Sequence, residues 1–255
     1  MRRPLVVVLA LVAAGCSGTS SSGSTASSAL TVFAASSLTA AFNRIGSNFT
    51  AANPGITVTI NFGSSTDLAS QIQSEGTADV FASASGTAMD TLQSAPGVTD
   101  RTNFATNRLV IITPPDDPAG IISMKDLARS GVKLVLAAEG VPVGDYARQA
   151  LKNAGILSQA TANVVSNEDD DAGVVAKVTS GDADAAIVYT SDVASAGNTV
   201  RSVAIPTAVN VLPTYPIAEV SGSPYPDQAK AFLDYVVGSA GQATLEQYGF
   251  GPPSG

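Results

Sequence analysis

The sequence contains no histidine, no tryptophan and a single cysteine in 255 residues. Without an imidazole, a Ser–His–Asp or Cys–His nucleophilic site cannot be assembled, and the commonest side-chain ligand of transition metals is missing. One cysteine excludes an internal disulfide framework. Charged residues make up only 13% of the chain against 45% hydrophobic residues, which is enough apolar material for two modest α/β lobes or one large lobe.

The first residues indicate export rather than fold. Arg2 and Arg3 precede an apolar run over 5–14 that is too short to span a bilayer as a permanent anchor. The run ends in small residues directly before Cys16, an arrangement that resembles the bacterial lipobox. We therefore predict a signal peptide over 1–15 and a lipid on Cys16. The alternative is an ordinary signal peptide followed by an incidental cysteine.

After Cys16, the segment up to residue 29 consists of Ser, Gly, Thr and Ala. Such a segment cannot bury enough apolar surface to order itself, so 16–29 is predicted to be a flexible linker that carries the lipid. Without Arg2 and Arg3, 11 basic and 21 acidic residues remain, a net charge of −10. A body this acidic offers no surface for nucleic acid or an anionic membrane. The lipid is then the only expected membrane contact, and we expect a monomer.

Short apolar segments alternate with segments of helical spacing from about Leu30 onward. The apolar segments are rich in Val and Ile, as buried parallel strands are, and lie at 30–34, 56–61, 79–82, 108–113, 133–137, 163–166, 185–189 and 216–220. Helical spacing of apolar residues follows at 38–49, 68–72, 146–151, 174–178, 229–236 and 243–245. This alternation predicts an α/β fold with open, doubly wound sheets.

Four turns between a strand and the next helix, at 34–37, 62–66, 141–144 and 166–171, carry small or helix-capping residues. A helix start offers unpaired N–H groups and about half a positive charge, and ligands collect at the carboxyl ends of strands in open α/β sheets. The four turns together therefore indicate an anion site. Taken one at a time, Ser37, Ser65 and Asp171 are better explained as plain N-caps.

At these turns the sequence resembles the periplasmic molybdate-binding protein family, the substrate-binding lipoproteins of molybdate ABC transporters. The resemblance runs over nearly the whole body, in order and at compatible spacing. Its motifs are TVFAASSL at 31–38, FGSS at 62–65, ADVFASA at 78–84, NRLV at 107–110, VPVG at 141–144, IVY at 187–189 and YGF at 248–250. Each motif alone is weak, whereas the ordered set is specific.

The resemblance implies a two-lobe, type II periplasmic-binding-protein-like fold whose hinge is formed by two crossings of the chain. Lobe 1 would comprise 30–107 plus 213–255, and lobe 2 would comprise 108–212. The implied function is that of an extracytoplasmic solute-binding protein, not an enzyme, without a cofactor. It would capture molybdate, and also tungstate, in the interlobe cleft and deliver the anion to an ABC transporter permease.

The resemblance also implies the molybdate-binding residues. They are Ser37 and Ser65 through hydroxyl and amide, Val143 and Asp171 through the amide, and Tyr189 through its hydroxyl. Their chemistry is suitable, because molybdate, tungstate and sulfate are dianions near neutral pH and only accept hydrogen bonds. Neutral donors also avoid the cost of burying Lys or Arg. Phosphate can keep a proton and would benefit from a carboxylate acceptor.

The chain departs from the family at the acidic run 169–171, where the family has fewer acids and a small apolar residue in the last position. Asp67 likewise follows the second serine turn closely. Carboxylates at a helix start are stabilising and usually solvated, so we expect these side chains to lie in solvent. A carboxylate that faced the cleft would repel a dianion and favour a protonated oxyanion or a cation.

Several other functions remain open from the sequence. The same fold could bind sulfate, phosphate or ferric iron, the last through Tyr146, Tyr189 and Tyr215 with aspartates. A serine enzyme with Ser37 as nucleophile is disfavoured because no histidine could activate it and no G-x-S-x-G elbow is present. A surface adhesion lipoprotein would need exposed aromatic or arginine anchors, and the composition offers few.

Overall fold

The computed structural model of the protein describes residues 28–94 and 96–253. The predicted signal peptide, the lipid site at Cys16 and the linker up to residue 27 lie outside the described residues. The described part of the chain holds no helix that combines the length and the apolar character needed to cross a bilayer.

Ten strands form two five-stranded sheets within these residues. The strands are β1 (Ser28–Ala35), β2 (Ile56–Gly63), β3 (Val80–Ala82), β4 (Val98–Thr106), β5 (Leu109–Thr113), β6 (Leu134–Ala137), β7 (Val164–Glu168), β8 (Ala185–Tyr189), β9 (Arg201–Ala204) and β10 (Thr214–Val220).

The helices lie mainly between the strands. They are α1 (Thr39–Ala52), α2 (Ser65–Glu75), α3 (Gly86–Asp90), α4 (Pro142–Asn153), α5 (Leu157–Thr161), α6 (Asp171–Thr179), α7 (Thr190–Ala196), α8 (Pro226–Val237) and α9 (Ser239–Gln247). Short 3₁₀ turns occur at Ser36–Leu38, Met124–Ala128 and Gly197–Thr199.

The two sheets are built on the same plan. The first has the order β2-β1-β3-β10-β4, in which β1 is parallel to β2 and β3, and β10 is antiparallel to β3 and β4. The second has the order β7-β6-β8-β5-β9, in which β6 is parallel to β7 and β8, and β5 is antiparallel to β8 and β9. These open sheets with flanking helices confirm the predicted fold class.

The eight predicted strands are present, and the two that the sequence did not indicate, β4 and β9, both lie at a sheet edge. The first half of β4 is mostly exposed, and β9 is exposed at three of its four residues. An edge strand with solvent on its outer side needs no continuous apolar run. Hydrophobic patterning therefore could not detect them.

The core beneath the first sheet is aromatic. The buried face of α1 carries Phe42 and Phe49, as its spacing predicts, and α8 contributes Phe232. The ring centroids of Phe49 and Phe232 lie 5.2 Å apart, and those of Phe42 and Phe104 lie 5.7 Å apart. Burying each ring contributes about 1.5–3 kcal/mol to stability. This packing fixes α1 on the sheet and with it the turn that precedes α1.

The chain passes from the first sheet to the second at residues 107–108, and it returns over 205–213. A hydrogen bond joins the two crossings: the backbone amide of Asn107 donates to the Pro213 carbonyl at 3.0 Å. The Asn210 side chain also bonds to the backbone of Leu109, with its Nδ2 2.8 Å from the carbonyl oxygen. The residue limits of the two lobes stay a prediction.

Candidate functional site

A small cavity lies between the carboxyl ends of the parallel strands of the two sheets. All five predicted ligand residues line it: Ser37, Ser65, Val143, Asp171 and Tyr189. The remaining lining residues are Ala35, Ser36, Gly63, Ser64, Ala84, Val141 and Pro142. The structure thus brings together residues that lie up to about 150 positions apart in the sequence, and no Lys or Arg is among them.

The topology explains this convergence. The turns that follow β1 and β2 emerge at one edge of the first sheet, because these strands are parallel. The starts of α4, α6 and α7 follow β6, β7 and β8, which are parallel to one another in the second sheet. Each turn therefore presents a helix start to the same space, as expected for a ligand site in an open α/β sheet.

Ser65 is placed as a hydrogen-bond donor. Its side chain is 1% exposed, and its Oγ accepts a hydrogen bond from the Ala84 amide at 2.9 Å. Because the amide can only donate, the hydroxyl proton of Ser65 remains free for a ligand.

Two buried hydroxyls of the cavity wall, those of Ser64 and Tyr189, have no hydrogen-bond partner in the described structure. An unpaired buried hydroxyl costs about 1–3 kcal/mol, so both groups favour a ligand that accepts hydrogen bonds. Tyr189 was predicted and Ser64 was not. The signal for Ser64 was present in the repeated Ser-Ser pairs 36–37 and 64–65, of which only the second member was singled out.

Val143 is the second residue of α4, where the amide has no partner within the helix. Pro142 occupies the first position, which suits a residue that lacks an N–H group. Gly144 lets this helix start approach β6: a methyl group there would lie 2.5 Å from the Ala137 carbonyl oxygen and still closer to that of Ala138. The VPVG motif therefore holds the Val143 amide at the cavity.

The structure contradicts the expectation that the side chain of Asp171 lies in solvent. Its side chain is buried, not solvated, it lines the cavity, and its Oδ1 accepts a hydrogen bond from the Ser36 hydroxyl across the cleft. Burial, followed by the charge of Asp192, raises the pKa of the Asp171 carboxyl well above its usual range. The side chain of Asp171 turns inward because Asp170 takes the N-cap position, where its Oδ1 accepts from the Gly173 amide at 2.8 Å.

The other carboxylate near a serine turn, Asp67, is exposed, as expected.

Asp192 lies behind the cavity in the first turn of α7 and is also buried. The Tyr189 amide donates to its Oδ2 at 2.8 Å. Burial raises the pKa of Asp192 to about 6, against the ordinary value of 3.8. The two carboxyls, Asp171 and Asp192, therefore form a buried acidic pair that retains a proton more readily than exposed carboxyls do.

The phenols of the site remain protonated. Burial is the main cause that raises the pKa of both Tyr189 and Tyr215 well above the usual range. A neutral phenol is a donor for an anion, whereas the ferric iron alternative would need phenolate oxygens. In residues 28–94 and 96–253, no group of three or more His, Cys, Asp or Glu side chains is arranged to hold a metal ion.

The two sides of the cleft touch each other beside the cavity. The Thr66 hydroxyl, on α2, donates to the Gly140 carbonyl before α4 at 2.6 Å. The Ser36–Asp171 hydrogen bond forms a second bridge. Hydrogen bonds therefore join the two sides of the cleft beside the cavity.

Comparison with known proteins supports the same conclusion. The model of the family of bacterial extracellular solute-binding proteins matches residues 30–251. The molybdate-binding protein ModA of Mycobacterium tuberculosis is 39% identical over 252 residues, which cover 97% of this chain and 95% of that protein. ModA of Escherichia coli is 34% identical over 231 residues, covering 87% of this chain and 88% of that protein.

Solved structures share the fold. The periplasmic molybdate-binding protein of Azotobacter vinelandii has a TM-score of 0.79 at 20% identity, covering 88% of this chain and 100% of that one. The sulfate-binding protein SubI of Mycobacterium tuberculosis has a TM-score of 0.78 at 17% identity, covering 88% and 87%. At these identities the similarity concerns the fold alone.

The sequence relatives are binding proteins, which confirms both the family resemblance and the prediction that the chain is not an enzyme. The chain belongs to the family of bacterial extracellular solute-binding proteins.

Proposed function

We propose that this chain is the molybdate-binding component of a bacterial ABC importer. It captures molybdate, and also tungstate, in the cavity between the two sheets and delivers the anion to a membrane permease. The mature protein acts outside the cytoplasm as a monomer and is held at the outer face of the cell membrane by a lipid on Cys16. The observation that carries the proposal is a buried cavity walled by neutral hydrogen-bond donors without a cationic side chain.

The donors suit a fully ionised tetrahedral oxyanion. Five residues line the cavity from both sides of the cleft, and we expect three of them, Ser37, Ser65 and Tyr189, to bind the anion through their hydroxyls and two, Val143 and Asp171, through their amides. Hydrogen bonds from neutral donors to a charged acceptor are about twice as strong as neutral pairs, and a helix start adds a favourable dipole. The overall negative charge of the protein is no obstacle, because the binding energy comes from these local dipoles.

The inward-facing Asp171 is compatible with this ligand when its carboxyl is neutral. The buried environment favours the protonated form, which donates a hydrogen bond instead of repelling the anion. Molybdate itself strengthens this preference, since a second negative charge nearby disfavours ionisation of the carboxyl. The relatives named for molybdate binding support the choice of anion among the oxyanions.

Calorimetric titration of the purified protein with molybdate, tungstate, sulfate and phosphate tests the proposal. Molybdate and tungstate are expected to bind with similar affinity because they are nearly equal in size and charge. Phosphate is expected to bind more weakly, because its proton meets donors on most sides of the cavity. A protein that bound phosphate or ferric iron and ignored molybdate would contradict the proposed function.

Ser37→Ala and Ser65→Ala should each weaken molybdate binding by about 1–3 kcal/mol, or about 5- to 150-fold in Kd, because each leaves the dianion short of one donor. Ser47→Ala is a matched control, since Ser47 is exposed on α1 and its hydroxyl bonds to the Asn43 carbonyl. Equal loss in the control, or no loss in both cavity variants, would remove these serines from the site.

A further inference from the structure

Asn107 lies buried at the first crossing between the sheets, and its hydrogen bonds define the orientation of its side-chain amide. Its Oδ1 accepts from the Arg108 amide at 2.9 Å and from the Thr190 hydroxyl at 2.7 Å. Because a backbone N–H can only donate, the oxygen must face Arg108. The Nδ2 group therefore faces the other side, where it donates to Ser191 Oγ at 2.9 Å and to Tyr215 Oη at 3.3 Å.

This orientation sets the direction of the next hydrogen bond. Tyr215 is fully buried, and its Oη lies 3.0 Å from Ser37 Oγ, where either hydroxyl could be the donor by distance alone. The side-chain NH₂ group of Asn107 can only donate to Oη, so Ser37 is the one acceptor recorded for the phenolic proton. If Ser37 donated instead, that proton would be buried without a partner at a cost of about 1–3 kcal/mol. Tyr215 therefore donates to Ser37, which leaves the Ser37 proton for the cavity.

We propose that Asn107 and Tyr215 are positioning residues that leave the hydroxyl proton of Ser37 free to bind the oxyanion. The inference rests on the proposed function, because it takes Ser37 to contact the anion. Because Tyr215 donates to one of the two lone pairs of the Ser37 oxygen, Ser37 does not need its own proton for this contact and can donate it to the anion. The donor role of Ser37 then comes from the direction of a hydrogen-bond relay.

Asn107→Asp reverses the relay with little change in shape. The new carboxylate presents an acceptor where Nδ2 donated, and the Arg108 amide and Thr190 hydroxyl, which already donate to Oδ1, keep it ionised at pH 8. The Tyr215 proton turns to this acceptor, Ser37 then donates to Tyr215, and a lone pair faces the cavity. Molybdate Kd at pH 8 should rise about 10- to 100-fold. Asn43→Asp, which places the same charge at an exposed position on α1, should leave Kd unchanged.

The double variant Asn107→Asp with Tyr215→Phe distinguishes the relay from plain charge repulsion. Without the phenolic hydroxyl the carboxylate cannot act on Ser37, whose proton is again free for the anion. Molybdate Kd should return to within a few-fold of Tyr215→Phe alone. Repulsion between the new carboxylate and the dianion, or a folding defect, predicts no recovery. A double variant as weak as Asn107→Asp would overturn the inference.

Tyr215→Phe alone gives a second readout that does not depend on the stability of the aspartate variant. Ser37 keeps its hydroxyl proton for the anion in this variant, so molybdate Kd should stay within a few-fold of the wild-type value. A loss as large as that of Ser37→Ala, or wild-type affinity in Asn107→Asp, would overturn the inference and leave the proposed function intact. Failure of the wild-type protein to bind molybdate in the same titration would overturn the proposed function, and the inference with it.

Discussion

At the scale of single residues, the cavity combines neutral groups that can donate hydrogen bonds with one carboxyl whose behaviour depends on its surroundings. Ser65 and Tyr189 are neutral donors at every physiological pH, whereas Asp171 is a donor only when protonated. Its neighbour Asp192 shares the same buried environment and has a raised pKa as well. The titration of this pair is therefore the main source of pH dependence at the site.

The acidic pair should make stability fall as the pH rises. A carboxyl with a raised pKa binds its proton more tightly in the folded protein than in the unfolded chain. Its stabilising contribution is complete below the unfolded value of 3.8 and is lost as the pH passes the folded value, about 6 for Asp192. The free energy of unfolding is expected to fall by about 2–3 kcal/mol over this pH range.

Asp171→Asn should therefore melt close to wild type at pH 4 and at a higher temperature than wild type at pH 7.5, because the amide never ionises. Thermal unfolding at both pH values measures the difference. Asp169→Asn removes the same formal charge from an exposed position of the same run, so its difference from wild type should not depend on pH in this way. A parallel pH profile for Asp171→Asn and wild type would show that Asp171 titrates normally.

At the scale of secondary-structure elements, the site depends on how closely helix starts approach the strand ends. The start of α4 lies against the end of β6 so tightly that Gly144 has no room for a Cβ atom. The strand–helix turn is therefore specified by one glycine, whose role is packing and not backbone flexibility.

Gly144→Ala should destabilise the protein by about 1–3 kcal/mol, because the methyl group forces α4 away from the carbonyls of Ala137 and Ala138. The shift also moves the Val143 amide, so molybdate binding should weaken along with the melting temperature. Gly86→Ala is the matched control: its Cβ would meet only the end of the Arg101 side chain, at 3.5 Å. If Gly144→Ala melted like this control, the close approach of α4 to β6 would not be needed.

At the scale of the whole molecule, the two sheets and their helices enclose the ligand site between them. Hydrogen bonds cross the cleft from Thr66 to Gly140 and from Ser36 to Asp171. Over residues 28–94 and 96–253, the backbone crosses between the sheets at two places, near Asn107 and over 205–213. Such a connection permits the two halves to rotate about the crossings, as in other hinged binding proteins.

The protein should become more compact when it binds molybdate, because the anion bridges donors from both sides of the cleft. Small-angle scattering should show a smaller radius of gyration with saturating molybdate than without it. Thr66→Val removes one cross-cleft hydrogen bond and should weaken binding a few-fold, or about 1 kcal/mol. Ser70→Ala, whose hydroxyl bonds only within α2, should not. An unchanged radius at saturation would contradict hinge closure.

Several features could be predicted from the sequence because they depend on local patterns. Apolar alternation located eight of the ten strands, and the serine turns with their family resemblance located five residues that the structure brings to one cavity. The exposed edge strands β4 and β9 carry no such pattern. Tyr215 and Asn107 could not be assigned near Ser37, because they lie 178 and 70 positions away in the chain. These three residues come together because the chain crosses between the sheets beside the cavity.

The sequence by itself determined which neutral donors are available, since it contains no histidine and places hydroxyls and amides at the capped turns. The tertiary structure alone decided which way each group faces. Asp171 illustrates the difference: its position at a helix start is written in the sequence, yet its burial results from Asp170 taking the cap and from α6 packing against the turn that holds Ser36. Orientation depends on contacts between distant segments, which local residue preferences do not specify.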